Sequence, residues 1–107
     1  MTQDTETQLS LSGAQIKRLR AHGHHLNPVI QIGKEGISQN LIDSTLAALK
    51  SHELVKVKLG QNAPLERQVA ATELARLTAA DLVQQIGKVF LLYCPNPELP
   101  ADKRIHI

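Results

Sequence analysis

The chain has 107 residues and 11.7 kDa, room for one domain and little more, and its 42% hydrophobic and 21% charged residues give a globular balance rather than a disordered one. Only Phe90 and Tyr93 are aromatic, which excludes a mechanism needing several stacking platforms, and a single cysteine, Cys94, excludes an intrachain disulfide and a cysteine-based zinc cluster. The net charge is +2, yet residues 10–94 carry ten basic and six acidic side chains, a surplus that favours a nucleic-acid partner only if the cations share a face.

No window approaches the roughly 18 apolar residues of a membrane span. The polar, acidic start of the chain does not read as a signal peptide, so a cytoplasmic protein without a membrane partner is expected. Residues 1–10 lack periodic apolar positions and are expected to form a disordered tail. Ser12 and Gln15 have the spacing of a capping box, with Leu11 and Ile16 at the staple positions. The helix they start is expected to run to about His22 and stop at Gly23, with Ile16 and Leu19 inward and Lys17, Arg18 and Arg20 on its other face. Pro28 and the run Val29–Ile32 read as a short strand, and Ser38 as the N-cap of an amphipathic helix over 39–52. Leu54–Leu59 alternates with period two, placing Val55, Val57 and Leu59 on one side and Lys56 and Lys58 on the other.

A third helix is expected from about Pro64 to Thr78, marked by Leu65, Val69, Leu74 and Leu77. Asp81–Ile86 and Val89–Tyr93 form a hairpin around Gly87-Lys88. Pro95, Pro97 and Pro100 bar further regular structure, so 95–107 is expected to be a Pro-rich tail to a domain spanning 11–94. The order α-β-α-β-α-β-β implies an α/β fold. It is a single compact domain whose small mixed four-stranded sheet carries packed helices, with mostly parallel, right-handed pairing and the hairpin as an antiparallel edge.

Gly33-Lys34-Glu35-Gly36 joins a strand to a helix. Two glycines three apart allow a sharp turn that exposes backbone N–H groups, beside the positive end of the following helix and the Lys34 ammonium. A phosphate backbone fits such a loop; an ordinary tight turn is the plainer alternative. The loop is neither a dinucleotide fingerprint nor a P-loop. His22, His24 and His25 cluster without a supporting Glu or Cys, so no metal and no cofactor are expected, whereas imidazoles can hydrogen-bond to or stack on RNA. Glu35, Asp43, Glu53, Glu66, Glu73 and Asp81 read as scattered, solvated carboxylates, and no nucleophile–base arrangement emerges, so the chain is not expected to be an enzyme or to take a small-molecule substrate.

The run Leu26–Ser38, together with His52–Lys58 and Gln85–Tyr93, resembles the CRM domain, named for chloroplast RNA splicing and ribosome maturation, in its stand-alone bacterial YhbY-like form. The resemblance covers about residues 10–94. It implies an RNA-binding domain with a fold similar to the C-terminal domain of bacterial initiation factor three; a monomer is expected. It further implies association with pre-ribosomal RNA in assembly of the large ribosomal subunit. The family's RNA-touching loop maps onto Gly33, Lys34, Glu35 and Gly36, and basic family positions onto Lys56, Lys58 and Lys88. Cys94 stands where the family often has an arginine. Lys17, Arg18 and Arg20 are expected to extend the patch. Shape recognition of structured RNA is expected over single-strand capture. The alternative is an adaptor docking on a ribosomal protein or assembly factor through an exposed apolar patch along the last hairpin.

Overall fold

The computed structural model describes residues 11–107; the tail expected over residues 1–10 lies outside them. Helix α1 spans Gly13–His24. The Gln15 N–H donates to Ser12 Oγ at 3.1 Å and the Ser12 N–H to Gln15 Oε1 at 2.9 Å, the capping box read from the sequence. Gly23 does not stop this helix. It lies inside it, buried, where a Cβ would come within 2.7 Å of Leu91 Cδ2, so a larger residue there would displace the Leu91 side chain from under the helix.

Strand β1, Ile30–Ile32, leads into helix α2, Gln39–His52, capped by Ser38 Oγ, which accepts from the Leu41 N–H at 3.2 Å. Strand β2, Leu54–Leu59, helix α3, Arg67–Thr78, and the hairpin of β3, Asp81–Ile86, and β4, Val89–Tyr93, complete the regular elements, followed by one 3₁₀ turn at Ala101–Lys103. The strand order is β1-β2-β4-β3. Only β1 and β2 run parallel; β4 is antiparallel to both β2 and β3. The expectation of mostly parallel pairing is thereby corrected. β4 is apolar and nearly all buried, and it takes an interior position between β2 and β3. The more polar β3, with Gln84, Gln85 and an irregularity between Leu82 and Gln84, takes the edge.

Helices α2 and α3 cover one face of the sheet, where Ile32, Val57, Phe90 and Leu92 meet Leu49 and Leu74. α3 starts at Arg67, later than expected, and its inward stripe is Ala70, Ala71, Leu74 and Ala75. Val69 and Leu77, two of the residues that mark the helix in the sequence, are 45% and 39% exposed. Small side chains let the helix lie close to the layer beneath it, and the bulkier residues fall on its flanks. On the other face α1 covers only half of the sheet, with Leu19 against Leu54, Val83, Leu91 and Tyr93.

The Pro-rich segment 95–107 folds back rather than hanging free, and Ile105 and Ile107 pack onto the cluster under α1. Glu53, expected to be solvated, is fully buried and holds that segment. Its Oε2 accepts from the Asn96 N–H at 2.6 Å and Arg104 Nε at 3.3 Å, and its Oε1 from the Ile105 N–H at 2.7 Å. Prolines forbid regular ladders, not packing, and a buried carboxylate must find donors. Burial pushes the Glu53 carboxyl up, but the two backbone donors and the Arg104 guanidinium outweigh it and hold it below its ordinary value.

Candidate nucleic-acid interface

Three chain turns meet at one end of the sheet. The Gly33–Gly36 turn follows the end of β1 and closes with the Gly36 N–H donating to the Gly33 carbonyl at 3.0 Å. Gly60, just past β2, donates its N–H to the Ile32 carbonyl at 2.8 Å, and the Leu59 N–H donates to the carbonyl of Lys88 in the hairpin turn at 2.7 Å. Lys34, Lys58 and Lys88, all exposed, come from these three neighbouring stretches. Val57 and Leu59 are committed to the core, so pleating sends Lys58 to the opposite face, which α1 leaves open at this end. Lys56 lies on that same face two residues back and is half-buried. Among the described residues Lys34, Glu35, Lys56, Lys58 and Lys88 form no ion pair; the pairs present are Glu73 with Arg76 and Glu53 with Arg104.

Gly36 is buried with φ +68°, the left-handed conformation that favours glycine, while Gly33, Lys34 and Glu35 project into solvent. Among the described residues the backbone N–H groups of Lys34 and Glu35 have no acceptor. The loop lies just ahead of the N-terminus of α2, whose first-turn N–H groups carry the positive end of the helix dipole. The loop and that helix end form a shallow depression of about 380 Å³ whose lining includes Gly33, Lys34, Glu35, Gly36, Ser38 and Ser44. Chemically the depression offers unpaired N–H donors, hydroxyls and the Lys34 ammonium, the groups that bind an anion, beside the Glu35 carboxylate.

The remaining cations lie elsewhere. α1 sits over the half of the open face remote from the loop, and at 100° per residue Arg18 and Arg20 leave Leu19 on opposite flanks. Arg20 Nε reaches the Val83 carbonyl at 3.4 Å on the edge strand. Lys17 and Arg18 are exposed, so the structure does not gather these three residues with the loop. His24 and His25 make an edge contact with each other at 5.4 Å between ring centroids, and among the described residues no three His, Cys, Asp or Glu side chains converge. Burial pushes the Cys94 thiol up, with Asp81 and Glu53 adding to the effect. No described helix is long and apolar enough to cross a membrane. The hairpin offers little exposed apolar surface: Phe90–Tyr93 are buried, Val89 is half-buried and Ile86 alone stands out.

The fold and site define a small α/β domain with a glycine-turned, cationic sheet end. The chain belongs to the CRS1/YhbY (CRM) domain family, whose model matches residues 11–93. It is 38% identical over 88 residues to "Probable RNA-binding protein YqeI" of Bacillus subtilis, covering 82% of this chain and 92% of that protein. It is 37% identical over 90 residues to "Probable RNA-binding protein PA4753" of Pseudomonas aeruginosa, covering 84% and 86%. The solution structure of the hypothetical protein SAV1595 of Staphylococcus aureus superposes with a TM-score of 0.70 at 33% identity, covering 89% of this chain and 97% of that one.

Proposed function

We propose that this chain is a non-catalytic, cytoplasmic RNA-binding protein that acts as a monomer in assembly of the large ribosomal subunit. It would hold the phosphate backbone of structured pre-ribosomal RNA in the Gly33–Gly36 loop. The convergence of Lys34, Lys58 and Lys88 on the end of the sheet where the Lys34 and Glu35 N–H groups are free carries this reading. Relatives named as RNA-binding proteins support it. Lys56 extends the contact along β2, and Lys17, Arg18 and Arg20 serve as outlying phosphate contacts on α1.

The test is binding of ribosomal RNA fragments across a salt series. The expected dependence is steep, with each neutralised phosphate adding about 0.7–0.9 to the log–log slope. Lys34→Ala and Lys58→Ala are each expected to weaken binding several-fold and to lower the slope by about one. A slope near zero would remove the phosphate contact and return the adaptor reading.

A further inference from the structure

Two imidazoles that the loop leaves unused face one groove. The β1 ladder on β2 starts at Ile30 opposite Val57, and just before it the Val29 N–H donates to the Lys56 carbonyl at 3.1 Å, so only Leu54 and Val55 have no strand beside them on that side. The gap is a groove of about 420 Å³. Leu54, Val29 and Ile105 make its walls apolar. His22 enters from the last turn of α1 and His52 from the last turn of α2, both exposed, and Lys56 lines it from the strand. His24 and His25, which the sequence groups with His22, do not line it.

We propose that this groove takes one unstacked nucleobase of the bound RNA, between the His22 and His52 imidazoles and over Leu54 and Ile105, with Lys56 against the adjoining phosphate. The inference rests on the RNA-binding reading above and adds a second, base-dependent subsite to it. Apolar walls suit a base and not a bare phosphate. Imidazoles offer both a flat π surface and ring nitrogens for hydrogen bonds, one of the few ways a chain so poor in Phe, Tyr and Trp can hold a base. The bare stretch of strand is too short to add a peptide strand by ladder pairing. Position fits as well: the groove opens at the start of β1 and the glycine loop follows its end, about 10 Å away by strand rise, with Lys58 in the open face between. One RNA strand can therefore occupy both.

The experiment is a methyl and imidazole NMR titration of the full chain with adenosine 5′-monophosphate, with ribose 5-phosphate as the base-free control. The expected result is shifts at Leu54, Ile105, His22 and His52 with the nucleotide and none with the sugar phosphate. Equal shifts with both, or no shifts at all, overturn the proposal. In parallel, a short oligoadenylate and an abasic chain of the same length are compared by anisotropy. Wild type is expected to favour the oligoadenylate by about tenfold, within the range for stacking one base. The double variant His22→Ala/His52→Ala is expected to lose that preference while keeping the salt slope, and Lys34→Ala to weaken both chains alike. A preference retained in the double variant overturns the groove. If neither chain binds at low salt, the RNA reading falls by itself, and the mononucleotide titration still decides whether the groove takes a base.

Discussion

Gly33 and Gly36 close one turn, yet they answer to different constraints. Gly36 holds φ +68°, and an added Cβ there would also meet Pro64 Cγ at 3.5 Å. Gly33 has nothing within 4 Å of an added Cβ and no positive φ. Gly36→Ala is therefore expected to lose about 1–2 kcal/mol of stability, the cost of a left-handed alanine. Gly33→Ala is expected to stay within about 0.5 kcal/mol of wild type. Urea unfolding midpoints check both; equal losses would show that Gly33 carries a constraint the backbone does not display. The sequence presents the two glycines symmetrically because the sign of φ depends on how the chain must re-enter α2. Glu53 was equally opaque: nothing local distinguishes a carboxylate with three long-range donors from a solvated one.

At the scale of elements, the signals that were legible are those that act within a few residues. Ser12 and Ser38 cap as their spacing requires, and the alternation of Leu54–Leu59 fixes which side chains reach the core. The inward face of α3 was not legible, because hydrophobicity points to Val69 and Leu77 whereas close packing selects the alanines. The end of α3 also departs from the usual choice. Ala79 is left-handed at φ 55°, and the Ala80 N–H donates to the Ala75 carbonyl at 2.9 Å, closing a Schellman turn normally occupied by glycine. Ala79→Gly relieves the Cβ strain against a smaller loss of chain entropy, so a gain of about 0.5–1 kcal/mol is expected. A thermal unfolding scan that shows no rise would mean that the turn has relaxed around the alanine.

For the whole molecule, Glu53 ties three stretches of chain together: the end of α2, the exit of β4 and the C-terminal segment. Glu53→Gln keeps the shape but places an amide donor against backbone donors, at an expected cost of about 2 kcal/mol. The pH dependence follows from the lowered carboxyl. Its contribution is complete above the unfolded-state value near 4.5 and is lost as pH falls through the still lower folded value. Wild type is thus expected to weaken on acidification below about pH 4.5, and Glu53→Gln to lack that part of the loss. Unfolding free energies across the acid range check this, and parallel curves for the two proteins would show that Glu53 does not carry it. Apart from Glu53 itself, the clasp is built from residues that follow Tyr93, the end of the family match, and they bring Ile105 and Ile107 onto the second core cluster.

By itself the sequence determined the order and type of the elements, both serine caps, the face of each β2 residue and the glycine-turned loop. These depend on interactions across a few residues, or on a motif read in one stretch. Only the tertiary structure decided that β4 lies inside the sheet, that Lys34, Lys58 and Lys88 come from stretches at one end of it while the α1 cations do not, that His22 and His52 line one groove, and that Glu53 is buried. Each of these depends on which distant segments pair, and that is settled by burying β4 on both edges and by the short reach of β1, not by any local preference.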